Sequence, residues 1–185
     1  MCHFITAALA PSAKIDEVAK LAKLYGLAWV SIANKSVLAK LEKGSTYFYT
    51  ATGMCDCGTE IGSNNLYPSK QQTDFSSEIT RFKNKGWTEN KIKNWLVAKQ
   101  KNVKKTNRVK ANSGAGAELE KWRKFIADLL NAKHSKQVTL LVHMYHRGLE
   151  SERIAIECLT KTKLYDLSDS VLINIKEDHL YQFNM

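Results

Sequence analysis

The sequence predicts an α/β or α+β domain with a βαβ start, a mixed sheet of about five to seven strands and a basic helical insert. Three observations predict it. The first third of the chain alternates strand-like and helix-like apolar patterns, the middle repeats apolar residues at helical spacing among lysines, and the last quarter returns to short apolar runs. The parts divide as 1–72 (the N-terminal βαβ-β half of the sheet), 73–136 (the insert) and 137–185 (the strands that complete the sheet), together one compact domain.

His3 to Leu9 reads as a strand. Pro11-Ser12 opens a helix with Ser12 as N-cap; Ile15, Val18, Ala19 and Ala22 recur on one face, and Gly26 closes it at Tyr25. Ala28 to Ala33 reads as a short buried strand, which completes a βαβ unit. A short helix at Ser36–Leu41 and a turn at Lys43-Gly44-Ser45 lead to an aromatic, β-branched strand from Thr46 to Thr52. Gly62-Ser63-Asn64-Asn65 and Pro68 mark residues 61–72 as loop. Three helices follow: one carrying Phe75, Ile79 and Phe82, one starting at Thr88 with Ile92, Trp95, Leu96 and Val103, and one with Leu119, Trp122, Ile126, Leu129 and Leu130. Residues 111–117 break the section before the third helix. Val138 to Tyr145 is the central strand, and Ile154–Leu159, Val171–Ile175 and Leu180–Phe183 are further strands.

Composition narrows the function classes. The chain carries 28 Lys and Arg against 18 Asp and Glu, a net charge of +10. Between Arg81 and Lys110 stand eleven basic residues and one acid, Glu89, so the remainder is neutral. No apolar run reaches the roughly 18 residues of a membrane helix, and no basic flank precedes the apolar N-terminus. A soluble, cytoplasmic protein with reduced thiols and no membrane partner is expected.

Of the four cysteines, Cys2 starts the first strand and Cys55 and Cys57 follow the third. If those strands are antiparallel neighbours, the three thiols meet at one edge of the sheet. Three thiols and a histidine make a zinc set. His3 should face away from Cys2, which leaves His143 or His146 for the fourth position, His143 being the choice. Reduced cysteines shaping a glycine turn at Gly53 and Gly58 are the plainer reading. A redox pair at Cys55 and Cys57 is disfavoured by strain. Cys2 is also a candidate catalytic nucleophile: with Met1 removed, its own α-amine would serve as base. The Met1-Cys2 start resembles class II glutamine amidotransferases, although His3 stands where they carry glycine. Cys2-His3-Phe4-Ile5-Thr6 together with Cys55-Asp56-Cys57-Gly58 also resembles a group of uncharacterised bacterial proteins, a likeness that implies no activity.

In the basic segment, a glycine turn at Asn84-Lys85-Gly86-Trp87, Thr88 as N-cap, and Ile92 and Trp95 resemble a helix-turn-helix, with Phe82 where that motif wants a small residue. The resemblance implies that Glu89, Asn90, Lys91, Lys93 and Asn94 face nucleic acid. Lys99, Lys101, Lys104, Lys105, Arg108 and Lys110 would line phosphates. The plainer reading is a solvated αα-hairpin.

Trp87, Trp95 and Trp122 read as core, His134 as a helix C-terminal residue suited to the dipole, and Cys158 as a small buried hydrophobe. Glu150 and Glu152 lie near His146 in sequence and offer an acid/base set. No phosphate-cradling loop or serine-nucleophile motif is present. The reading is therefore a nucleic-acid-binding protein acting through phosphates, chiefly by Lys91, Lys93, Lys99, Lys101, Lys104, Lys105 and Arg108. One alternative is a zinc- or thiol-dependent protein built on Cys2, Cys55 and Cys57. Another is a module that docks an acidic protein partner.

Overall fold

A computed structural model describes residues 2–66, 82, 87–89, 91–95 and 115–185. In chain order its elements are β1 (Cys2–Leu9), α1 (Ile15–Leu24), β2 (Val30–Ile32), α2 (Lys35–Leu38), β3 (Thr46–Tyr49), α3 (Glu60–Leu66), α4 (Ala115–Asn131), β4 (Gln137–Tyr145), β5 (Cys158–Lys163), a 3-10 turn (Leu164–Asp166), α5 (Asp169–Ile173) and β6 (His179–Asn184). The chain divides into two compact units, Met1–Tyr67 with Ala117–Met185, and Pro68–Gly116.

The first unit is a mixed α/β fold on a six-stranded sheet of order β2-β3-β1-β4-β6-β5. All pairings are antiparallel except β5 with β6. The start is βαβ-like, but β3 inserts between β1 and β2. The two most continuous apolar runs, β1 and β4, pair from Cys2↔Tyr145 to Leu9↔Val138 and form the centre of the sheet. Both are buried along most of their length. This is why β4 lacks the polar alternation of a half-exposed strand.

Each face has its own cover. Ile5, Ala7 and Leu9 of β1 and Val138, Leu140 and Val142 of β4 face Val18 and Ala22 of α1 and the apolar stripe of α4. That stripe comprises Leu119, Trp122, Phe125, Ile126, Leu129 and Leu130, so α4 packs onto the sheet. On the other face Ala8, Leu141, Tyr145 and Leu180 meet Val37, Leu38, Leu149, Ile154 and Ile156. A hydroxyl cluster lies within this layer: Thr6 Oγ1 and Tyr47 Oη are 2.5 Å apart, and Tyr47 Oη is 3.1 Å from Tyr145 Oη.

Several elements differ from the sequence expectation. Helix α1 begins at Ile15 with no side-chain cap, so Ser12 is not its N-cap; the Lys14 amide donates instead to the His134 carbonyl at 2.7 Å. The strand expected over 28–33 is three residues long and lies at the sheet edge, half-exposed instead of buried. Residues 60–66 are helical, where a loop was expected: Thr59 caps them, its Oγ1 accepting from the Gly62 amide at 3.0 Å. Residues 169–173 form a helix, not a strand, because Ser168 caps the Val171 amide. The strand expected at 154–159 forms at Cys158–Lys163 instead, on the opposite sheet edge, which leaves Cys158 exposed.

In the second unit the described residues centre on aromatic rings. Phe82 stacks on Trp87 with centroids 4.3 Å apart and meets Trp95 edge-on at 4.7 Å. Thr88 caps the turn that follows, accepting from the Lys91 amide at 3.4 Å, and Ile92 is buried. Lys91 Nζ lies 4.4 Å over the Trp87 ring, a cation–π contact.

Asn34 joins two loops of the first unit and is fully buried. Its Oδ1 accepts from the Ser36 and Val37 amides, and its Nδ2 donates to the Leu149 and Glu152 carbonyls. Replacing it strands several buried partners at once. Asn34→Ala is expected to destabilise the fold by about 2–4 kcal/mol, read as a lower urea midpoint at unchanged slope. A change below about 0.5 kcal/mol, the range of ordinary surface substitutions, would contradict the assignment.

Candidate metal centre

Strand β3 stops pairing with β1 at Tyr49↔Thr6, which leaves the backbone groups of His3 and Ile5 facing that side without a strand. A buried backbone group needs a partner. The chain after β3 supplies four. Thr50 Oγ1 donates to the Ile5 carbonyl at 2.5 Å, and the Asp56 carboxylate accepts from the Ile5 amide at 2.8 Å. The Asp56 amide donates to the His3 carbonyl at 2.9 Å, and Cys57 Sγ accepts from the His3 amide at 3.1 Å.

This docking brings Cys55 and Cys57 beside Cys2, and the three sulfurs lie within 4.8 Å of one another. The antiparallel β1–β3 pairing on which the expected meeting of the thiols was conditional is the one found. All three thiols are free and partly buried. The Cys57 amide, followed by its thiol, holds the Cys55 thiol below its ordinary pKa. Burial pushes Cys57 up, against the hydrogen bond from His3. Burial likewise raises Asp56 to about 6, with the Ile5 amide pulling the other way.

Gly62 makes the loop possible. A Cβ built there would sit 1.9 Å from the Asp56 carbonyl oxygen, so only glycine lets α3 approach this turn.

Among the described residues no histidine joins the sulfurs. His143, the expected fourth ligand, lies opposite Phe4 on β4, the strand on the other side of β1 from the cysteine loop. Its ring belongs to a different group with Glu177 and Asp178. His146 is exposed, and its amide donates to Glu152.

The second group forms where β6 stops pairing with β4, at Leu141↔Leu180. The Asp178 amide donates to the Val142 carbonyl at 3.0 Å, and the Met144 amide donates to Glu177 Oε1 at 2.7 Å. His143 Nδ1 is 2.5 Å from Asp178 Oδ1 and 4.0 Å from Glu177 Oε1, and its Nε2 is 3.6 Å from Glu152 Oε1. Burial opposes protonation of His143, but the hydrogen bond to Asp178 and the three carboxylates outweigh it and raise its pKa. Glu152 is held below its ordinary value despite burial, because the Arg147 and His146 amides both donate to it. Sequence reasoning placed Glu152 beside His146 and missed Glu177 and Asp178, since nothing local links position 143 to 177.

Of the basic residues, Lys91 and Lys93 are exposed. Lys99, Lys101, Lys104, Lys105, Arg108 and Lys110 lie outside the described residues, as does Asn90. Among the described residues no helix is long and apolar enough to cross a membrane. No protein-family model, curated protein or solved structure matches the chain.

Proposed function

We propose that the protein binds a soft or borderline metal ion, zinc in the first instance, through Cys2, Cys55 and Cys57. The observation that carries this reading is the meeting of three sulfurs from two distant chain segments, all within 4.8 Å. Thiolates select zinc over magnesium or calcium, and reduced thiols grouped this closely are the donor set zinc takes. Three protein ligands leave a fourth position for water or a small ligand, the ligand count of catalytic zinc sites. Zinc held there would tie the N-terminal strand to the 53–58 loop and would supply Lewis-acid chemistry at that position. The same grouping favours Cys2 as a ligand over Cys2 as a lone nucleophile.

Purified full-length protein should contain about one zinc per chain, and Cys55→Ser/Cys57→Ser should lose it. Because zinc binds the folded state, chelator should lower stability by about 4 kcal/mol where free zinc was roughly 1,000-fold above its dissociation constant. Protons compete for thiolates, so affinity should rise with pH, and without metal Cys57, raised by burial, should ionise after Cys55, which the Cys57 amide holds down. Metal-free protein that ignores both zinc and chelator would refute the reading. Gly62→Ala should weaken zinc binding without touching a ligand, since the added methyl must move the Asp56 carbonyl; unchanged affinity would show that the loop tolerates the shift.

A second reading rests on charge. Eleven basic residues against one acid between 81 and 110 attract polyanions, and Lys91 and Lys93 are exposed. Nucleic acid, contacted through phosphates by Lys91, Lys93, Lys99, Lys101, Lys104, Lys105 and Arg108, is the proposed partner; an acidic protein surface is the competitor. Duplex DNA should be retained at low salt with an affinity that falls steeply as salt rises. Lys91→Glu/Lys93→Glu/Lys105→Glu should abolish retention and leave the circular dichroism unchanged. Salt-independent binding, or none at low salt, would end this reading, and displacement by an acidic protein but not by DNA would favour the competitor.

A further inference from the structure

We propose that His143, Glu177 and Asp178 form a second metal site, separate from the thiols, for a divalent cation of the manganese, iron or cobalt class. His3 and Glu152 position its ligands.

The donor set is one imidazole and two carboxylates whose ligand atoms lie within 4.8 Å of one another. Ligand atoms about 2.1 Å from a shared octahedral ion are roughly 3.0 Å apart when adjacent and 4.2 Å when opposite. His143 Nδ1 is 2.5 Å from Asp178 Oδ1 and 4.0 Å from Glu177 Oε1, so small side-chain adjustments admit an ion. Carboxylate oxygens suit manganese, and imidazole suits iron and zinc; the mixture selects borderline cations and disfavours the soft ions that thiolates take.

Two further observations point to a ligand there. His3 is 1 % exposed, and neither of its ring nitrogens has a hydrogen-bond partner. Its Nε2 faces Glu177 Oε2 at 3.5 Å, which places a buried imidazole behind the carboxylate that would hold the ion. His143 is 8 % exposed, and its Nε2 likewise has no hydrogen bond but faces Glu152 Oε1 at 3.6 Å. Metal-binding histidines commonly direct the second ring N–H at a carboxylate, which sets the tautomer. Glu152 has that place, anchored by the His146 and Arg147 amides at 2.8 and 2.7 Å. With Nδ1 on the ion and Nε2–H toward Glu152, both nitrogens of His143 have a role. Binding to the imidazolium form releases the Nδ1 proton to solvent and keeps Nε2–H, whereas binding to the neutral ring requires its single proton to sit on Nε2.

The surroundings are otherwise committed. His179 Nε2 faces Glu157 at 3.4 Å and Nδ1 lies 2.8 Å from the Glu177 carbonyl, so it is not a ligand in this arrangement. Tyr145 meets the His143 ring edge-on at 4.6 Å and closes one side.

The test is titration of metal-stripped, reduced, full-length protein with Mn²⁺, a probe that thiolates bind poorly. Free Mn²⁺ is followed by electron paramagnetic resonance. One Mn²⁺ per chain is expected. Cys55→Ser/Cys57→Ser should leave the affinity within about threefold, whereas Glu177→Gln/Asp178→Asn should weaken it at least 100-fold, beyond the roughly 10- to 100-fold that loss of an outer partner costs. That double variant keeps the shape of both side chains, and asparagine tolerates the positive φ of 59° at position 178. Wild-type protein supplies an independent readout: Mn²⁺ should broaden the His143 and His3 ring resonances before those of His134 and His146. No Mn²⁺ binding by folded wild-type protein would overturn the proposal, as would equal affinity in the carboxylate variant or broadening centred on other histidines. Failure of the thiol site to take zinc would leave this result unchanged, so the two sites are judged separately.

Discussion

The architecture depends on the saturation of β1 on both edges, although its neighbouring strand β3 is shorter than it is. Strand β4 pairs along its whole length. On the other edge β3 covers only Thr6 to Leu9, and the buried backbone of His3 and Ile5 still requires donors and acceptors. Thr50, Asp56 and Cys57 provide them from a loop, with a hydroxyl, a carboxylate, an amide and a sulfur taking the ladder positions. The cysteines are therefore brought together by backbone accounting: the segment that must complete the sheet is the segment that carries them.

The same device recurs two strands away. Beyond the end of the β4–β6 ladder, Glu177 accepts from the Met144 amide and the Asp178 amide donates to Val142. Both clusters of chemically capable side chains lie where a ladder ends and side chains or loop groups replace a strand. Polar groups are admitted to such places because the backbone demands them. Once present in a buried setting, they face one another at ligand distances and with altered proton affinities, as Asp56 and His143 show.

Much of this was legible in the sequence, for identifiable reasons. Strand β4 is buried on both faces and reads as a nearly continuous apolar run, β1 reads as an alternating strand apolar enough for a sheet, and α4 carries an apolar stripe at helical spacing. Placing Cys2 with Cys55 and Cys57 needed only the antiparallel pairing of β1 with β3, although α1, β2 and α2 lie between those strands in the chain. The fourth ligand was harder. Assigning His143 required the order of strands as well as their direction, and β1 stands between its strand and the cysteine loop. The 60–66 helix was hidden because Gly62, Ser63, Asn64 and Asn65 have turn chemistry locally, while a tertiary demand, close approach to Asp56, selects the glycine. The Val171–Ile175 run was too short to separate helix from strand by period; Ser168 as a cap was the available signal. Glu177 and Asp178 could not be linked to His143 before β6 was placed against β4.

The charge distribution stands apart from this logic, since the first unit is built without the lysine-rich segment. The most direct test of the thiol centre is zinc X-ray absorption on the full-length protein. Three sulfur scatterers at about 2.3 Å with one lighter neighbour are the expected first shell. A shell of only nitrogen and oxygen would contradict the account, because it would mean that the sulfurs brought together by the loop are not ligands.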